Sequence, residues 1–255
     1  MSAPAAPDRS ARMDLTEDLV ARVERLEPDP GPMPGVVQFA DADYAQTIAD
    51  LMAQYRPERL HVFAYGSLLW KPEFEIESQT RAVAHGWHRA FCLRLTRWRG
   101  TREQPGLMMA LDRGGCCNGV LYRLPAGDIE AQIDRLLRRE MSSKPPANMP
   151  RWLDVEIDGG SQRALAFTAN PKGNNYCGKL THEDVARILA RAAGHWGSGA
   201  SYLYRTVAHL DALGIRDRNL WRLQQMVAAE IRALGEKQGS EDGVVPPVAN
   251  QPPGR

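Results

Sequence analysis

Two places in this 255-residue chain combine residue types that can do chemistry. The first is Tyr65–Gly66–Ser67–Leu68–Leu69–Trp70, directly after the short apolar run Leu60–Tyr65. A Gly-Ser pair at a strand end lets a ligand approach the backbone. It can present consecutive N–H groups to a carboxylate or a developing oxyanion. The same residues also fit an ordinary turn. No phosphate-loop spacing surrounds them, and Ser67 is not in a GxSxG elbow. The second place is Glu140. It follows Ile129, Ile133 and Leu136 at 11, 7 and 4 residues, so a helix reaching that point projects the carboxylate from its apolar face. Burial raises a carboxyl's pKa, and a raised pKa suits a general base working near neutrality. The spacing fits equally a structural ion pair with Arg138, Arg139 or Lys144, or a frayed helix end.

Other candidates carry less. Arg94, Arg97, Arg99 and Arg102 form a basic run around Trp98 that can hold an anionic group, but it reads more simply as a solvated strand end. Tyr202 and Tyr204 stand at the start of a helix, from which a tyrosine can reach into a pocket or simply pack in the core. His85 and His88 bracket Trp87 without an Asp or Cys neighbour in sequence, and read as packing or surface residues. The four cysteines, Cys92, Cys116, Cys117 and Cys177, form no CxxC pair, and the six histidines show no HExxH spacing. Neither a metal site nor a disulfide framework is expected, and a reducing cytoplasm is the simplest compartment.

The elements that must position these residues alternate between the two periodicities. Leu60–Tyr65 reads as a buried strand. Residues 89–96 alternate, with Phe91, Leu93 and Leu95 on one face and Cys92, Arg94 and Thr96 on the other. Leu107–Leu111 and Val120–Leu124 flank Gly114–Gly115 and predict a hairpin. Leu153, Val155 and Ile157 lead through Asp158–Gly160 to a return strand over Arg163–Thr168. Helices are expected over 13–27, with Leu15, Leu19, Val23 and Leu26 as its stripe, over Asp41–Gln54, and over 128–140. Another follows Thr181, whose spacing to Asp184 resembles a capping box. Two more end at Gly214 and Gly235. Pro28 to Gly35 is a linker. The mixture predicts an α+β fold with a mixed sheet or small barrel. Residues 1–56 read as an N-terminal extension, disordered over 1–12 and carrying one or two helices. Residues 57–235 form the folded body, and 236–255 a Pro/Gly-rich tail.

Composition narrows the function. Thirty-two basic residues oppose thirty-one acidic ones, which argues against a nucleic-acid partner or a polybasic membrane contact. No apolar run approaches the ~18 residues of a membrane span, and the first residues lack an apolar signal region. A small-molecule substrate is the expected partner.

An ordered set of motifs then points to a family. Val62–Phe63–Ala64–Tyr65–Gly66–Ser67–Leu68–Leu69–Trp70 comes first. Gly86–Trp87–His88–Arg89–Ala90–Phe91, Arg99–Gly100–Thr101 and Gln104–Pro105–Gly106 follow. Gly119–Val120–Leu121–Tyr122–Arg123–Leu124–Pro125, Arg139–Glu140–Met141 and Gly197–Ser198–Gly199–Ala200–Ser201–Tyr202 complete it. Together, over about residues 60–232, they resemble the ChaC-like, glutathione-specific gamma-glutamylcyclotransferases. The resemblance implies a small mixed β-barrel flanked by helices, and cleavage of glutathione to 5-oxoproline and cysteinylglycine without a cofactor. It places the catalytic glutamate on Glu140 and the gamma-glutamyl-binding loop on Val62 to Leu68. The chain departs from the family at Ala64, where glycine is usual. It also departs at Ser142–Pro146, which lacks a usual glycine and tyrosine, and near Gly199, where an asparagine is usual. Two alternatives remain open: a cyclotransferase for other gamma-glutamyl amines or peptides, and a non-catalytic regulator that binds a gamma-glutamyl ligand.

Overall fold

Residues 60–65 are apolar without alternation because the strand they form is covered on both sides. In the computed structural model, which describes residues 12–241, that strand is His61–Ala64, and Val62, Phe63 and Ala64 are fully buried. Val62 and Ala64 belong to the main core between barrel and helices. Phe63 and the following Tyr65 belong to a second core with Ala82, Trp87, Leu111, Leu121 and Val155. One strand thus feeds two cores through its two faces.

In chain order the elements are α1 (Glu17–Val23), β1 (Val37–Gln38), α2 (Asp41–Gln54), β2 (His61–Ala64), β3 (Ser78–Leu95), β4 (Gly106–Arg123) and α3 (Ile129–Glu140). They continue as β5 (Ser143–Lys144), β6 (Asn148–Ile157), β7 (Gly160–Ala169), α4 (His182–Leu189), β8 (Ala193–Gly194), β9 (Gly197–Ser198), α5 (Gly199–Ala212) and α6 (Arg218–Glu241). The order β2-β4-β3-β6-β7 makes a closed barrel. All its neighbours are antiparallel except where β7 closes it, parallel to β2 at Val62–Leu165 and to β4 at Leu111–Thr168. The α+β mixed barrel flanked by helices is therefore the observed architecture.

Several expected elements differ in their details. Gly114 and Gly115 do not turn a hairpin. Leu107–Leu111 and Val120–Leu124 belong to the single 18-residue strand β4, and the hairpin is β3 with β4. The two glycines, at φ +104 and +72, absorb one extra residue where pairing moves from His85–Cys116 to Trp87–Arg113. That is a bulge, which only looks like a turn in sequence. A second bulge lies between Phe91–Met109 and Leu93–Met108, and it throws Cys92 inward, so the expected outward face holds a fully buried cysteine. The first helix covers only Glu17–Val23, because Thr16 caps it by accepting from the Leu19 N–H at 3.3 Å. Leu26 lies beyond it, 94% exposed. The last helix passes through Gly235 to Glu241. One helical glycine costs only about 1 kcal/mol, and no proline follows it closely. The expected disorder of residues 1–11 and most of the expected tail, 242–255, lie outside the described residues.

Several helices match their expected extents and caps. Helices α2 and α3 have the expected extents, and Asp128 caps α3 through the Ala131 N–H at 3.1 Å. Thr181 and Asp184 make the expected cap of α4, with the Asp184 N–H donating to Thr181 Oγ1 at 3.1 Å. Residues 12–56, expected as an extension of the body, instead pack into it. Leu15, Leu19, Tyr44, Ile48 and Leu51 are buried in the main core, and the Leu15 N–H donates to Gln224 Oε1 on α6 at 2.8 Å. Among the described residues no helix is long and apolar enough to cross a membrane.

Candidate active site

The loop after β2 is held from behind. The side chain of Arg89, on β3, is almost wholly buried. Its Nε donates to the Tyr65 carbonyl at 2.7 Å, its Nη1 to Asp217 at 2.9 Å, and its Nη2 to the Asn118 carbonyl. The Tyr65 hydroxyl crosses the barrel end and donates to the Phe167 carbonyl at 2.7 Å. Ser67–Leu69 then turn as a single 3₁₀ turn, closed by Leu69 N–H to Gly66 O at 2.9 Å and Lys71 N–H to Ser67 O at 2.8 Å. No described residue accepts from the Gly66 or Leu68 N–H. The loop is thus a rigid turn with unclaimed donors, which is what recognition of an anionic or carbonyl group needs. A Cβ added at Gly66 would lie 3.1 Å from the Tyr202 hydroxyl, so glycine sets the gap between the loop and that tyrosine.

Glu140 is the last residue of α3, and the apolar stripe below it is buried at Ile133, Leu136 and Leu137. Its side chain is 16% exposed. Arg139 Nε donates to Oε1 at 2.9 Å, and Arg139 Nη1 is itself held by the Pro72 carbonyl at 3.2 Å and by Glu73 at 2.6 Å. Burial pushes the Glu140 carboxyl above its ordinary pKa, and the charge and hydrogen bond of Arg139 only partly oppose this. The ion pair with Arg139 therefore exists beside the buried carboxylate and does not cancel it. No described residue donates to Oε2.

One cavity of about 270 Å³ joins these parts. Tyr65, Gly66, Ser67 and Leu68 form one wall, and Glu140 with Ser142 and Ser143 another. Tyr202 closes a third side, and Trp98 and Trp196 stand near the mouth. Tyr202 is buried on α5, one turn in from the cap Ser198, and its ring meets Trp70 and Phe91 edge-on at 5.9 and 6.1 Å. Burial, reinforced by the Glu140 charge, keeps its phenol well above the usual range, while Arg99 pulls the other way. The hydroxyl therefore stays protonated beside the loop. Among the described residues no group of three or more His, Cys, Asp or Glu is arranged to hold a metal ion.

The cavity gathers Tyr65, Gly66, Ser67, Leu68, Glu140 and Tyr202. It does not gather Val62, Phe63 or Ala64, which are strand residues with side chains sealed in the two cores. For these three the expected contact role gives way to packing. Ala64 fills a core position, and its carbonyl lies where a Cβ at Gly119 would stand, at 2.5 Å.

Two arginines are the residues that sequence reasoning missed. Arg89 had no role beyond its place in a motif. Arg99 is not at a solvated strand end: it is buried, its guanidinium lies 5.3 Å from the Tyr202 ring centroid, and it donates to the Ser198 carbonyl at 3.2 Å. Arg97 of the same run pairs with Asp29 instead. The only signal for either was a basic residue next to an apolar strand, which also describes surface arginines. His85 is exposed as expected, yet it bridges Cys116 at 3.4 Å and Glu156 at 2.6 Å, neighbours brought by β4 and β6.

Comparison with known proteins shows the family. Residues 60–230 match the family model of ChaC-like proteins. A glutathione-specific gamma-glutamylcyclotransferase of Escherichia coli is 39% identical over 160 residues, 62% of this chain and 68% of the relative. A gamma-glutamylcyclotransferase of Arabidopsis thaliana is 30% identical, over 65% of this chain and 87% of the relative. A crystal structure of a glutathione-specific gamma-glutamyl cyclotransferase from yeast superposes with a TM-score of 0.59 at 19% identity, covering 68% of this chain and 97% of that one, and shares the fold. With the family model matched across the barrel, the loop, Glu140 and Tyr202, the chain belongs to the ChaC-like family.

Proposed function

We propose that the protein is a gamma-glutamylcyclotransferase that cleaves glutathione to 5-oxoproline and cysteinylglycine. The observation that carries the reading is the buried Glu140 carboxylate facing the 65–68 loop across one cavity. The reaction is an intramolecular attack. The substrate's α-nitrogen loses a proton, adds to its own γ-carbonyl carbon, and expels the cysteinyl nitrogen as the five-membered ring closes. Glu140 takes the proton from the attacking nitrogen and returns it to the leaving one, so the carboxylate is regenerated and no net proton is consumed. Gly66 and Leu68 N–H groups hold the gamma-glutamyl end, and the walls fix the folded conformer that the attack requires. Orientation supplies much of the acceleration in such a ring closure. The Tyr202 hydroxyl, kept protonated by burial, donates toward the same end of the substrate.

The chain's own residues are sufficient for these steps, and the reading assigns no cofactor. Incubation of the purified protein with glutathione, with 5-oxoproline and cysteinylglycine measured together, tests it. Equimolar release of both supports the reading. Release of 5-oxoproline only from other gamma-glutamyl amines or peptides moves the substrate class. Binding of glutathione without turnover leaves a non-catalytic regulator.

A further inference from the structure

Residues 24–44 lie outside the family match, which begins at residue 60, yet they bond to residues behind two walls of the cavity and beside its mouth. At the Tyr202 wall, the Glu24 carboxylate accepts from the Ser198 hydroxyl at 2.6 Å and from its N–H at 3.2 Å. Ser198 caps α5 by accepting from the Ser201 N–H at 3.0 Å, so Glu24 orients the cap of the helix that carries Tyr202. At the mouth, Asp29 accepts from Arg97 Nε and Nη2, each at 2.8 Å, next to the cavity residue Trp98. At the Glu140 wall, the Phe39 N–H donates to the Ser142 carbonyl at 3.0 Å, and β1 pairs with β5. The buried Tyr44 hydroxyl donates to the Met141 carbonyl at 2.7 Å. Arg138 stacks 4.5 Å from the Tyr44 ring centroid and pairs with Asp41 at 2.8 Å, and Lys144 pairs with Asp43 at 2.6 Å.

We infer that residues 24–44 are a strap that positions the catalytic carboxylate, with Tyr44 as its positioning residue, acting through the Met141 carbonyl. The inference rests on the role proposed for Glu140. The last turn of a helix frays, because its final carbonyls lack intrahelical partners. Glu140 sits in that turn, and Met141 is its cap. A base placed there holds its position only if the chain just beyond it is fixed, and the chain just beyond it is bonded to the strap. The clustering of these contacts at residues 141–144, with separate anchors at Ser198 and Arg97, is what a merely space-filling segment would not require.

The test compares wild type, Tyr44→Phe and Leu26→Ala. The first variant removes one hydroxyl and keeps the ring against Phe39 at 5.2 Å. The second alters an exposed residue of the same segment that makes no site contact. A displacement of about 1 Å in a catalytic group can cost on the order of 10²-fold, so removing the one strap bond to the residue that follows Glu140 should lower kcat at least about fivefold. KM should stay within about twofold, because the substrate-binding loop is untouched. Without substrate, amide exchange at Ser142–Lys144 should accelerate at least about tenfold as the local opening energy falls. Leu26→Ala should match wild type in all three measurements. A Tyr44→Phe enzyme that melts earlier but keeps kcat within about twofold overturns the inference, as does unchanged exchange at Ser142–Lys144. If wild type itself fails to cleave glutathione, the reading of function fails, and the exchange measurement still decides whether Tyr44 fixes this segment.

Discussion

Replacing Glu140 with glutamine separates the carboxylate's proton chemistry from its packing. Glutamine keeps the shape and the oxygen that accepts from Arg139. Arg139 retains Glu73 at 2.6 Å and the Pro72 carbonyl at 3.2 Å, so no buried charge loses its last partner. What disappears is proton acceptance. A general base contributes about 10²–10⁴-fold, or about 2.7–5.5 kcal/mol of barrier. One carboxylate serves both transfers here, which puts the expected loss in the upper half of that range. Stability should move the other way. Burial raises the Glu140 pKa in the folded state, so the folded protein holds this proton more tightly than the unfolded chain does. The contribution of Glu140 to stability is therefore fully present below the ordinary glutamate pKa and declines as pH rises through the folded value. Glutamine does not titrate. Glu140→Gln should melt above wild type at pH 7, and the gap should close as pH falls below the ordinary carboxylate range. Turnover of glutathione and melting temperature, each followed from pH 4 to 8, read both effects on one pair of proteins. A variant that keeps more than about a tenth of wild-type turnover removes Glu140 from the base role. A variant less stable than wild type at pH 7, with the deficit shrinking at pH 4, shows that the ion pair outweighs desolvation and refutes the electrostatic argument.

The raised Glu140 pKa also predicts that kcat/KM falls on the acid side with an apparent pKa above the ordinary glutamate range, a limb visible in a pH–rate profile. Gly66→Val should lose turnover while the protein stays folded, because even a Cβ meets the Tyr202 hydroxyl at 3.1 Å; Ser67→Ala, which keeps the backbone donors, should lose less in the same assay. Arg89→Ala should destabilise the protein in urea unfolding by about 1–3 kcal/mol for each buried carbonyl it leaves unpaired, at Tyr65 and Asn118, while Asp217 keeps the Asn219 and Leu220 N–H groups. Dialysis against EDTA should leave turnover unchanged; loss of activity restored by a single divalent metal would overturn the cofactor-free scheme.

How much of this was legible in the sequence depends on whether local spacing decided the outcome. Glu140 was legible because a helix repeats every 3.6 residues and three apolar residues fixed its face before the glutamate was reached. The strand that leads into the loop was legible because Leu60–Tyr65 is short, apolar and bounded by Pro57 and Gly66, whereas the loop itself also fitted an ordinary turn. Gly114–Gly115 misled because positive φ serves bulges and turns alike. The difference lay in the partner strand, where Gly86 also sits at positive φ, 28 residues from Gly114. Arg89 and Arg99 were illegible for a related reason. What buries Arg89 and pairs with it is Asp217, 128 residues away, and what stacks on Arg99 is Tyr202. Neither neighbour can be inferred from a strand's own alternation.

The bond from the Leu15 N–H to Gln224 sets an order of assembly. Helix α1 is seven residues long, far below the length at which an isolated helix persists in water. Its packing partners are α5 and α6, which leave a ribosome long after it. During synthesis, then, α1 waits for α5 and α6, with Leu15 and Leu19 exposed while the 209 residues that separate Leu15 from Gln224 are made. At roughly 5–20 residues per second that interval spans tens of seconds at the slow end. Leu15 and Leu19 therefore stand as apolar binding sites for a chaperone throughout that interval, and refolding from denaturant, where all three helices are present at once, escapes the delay.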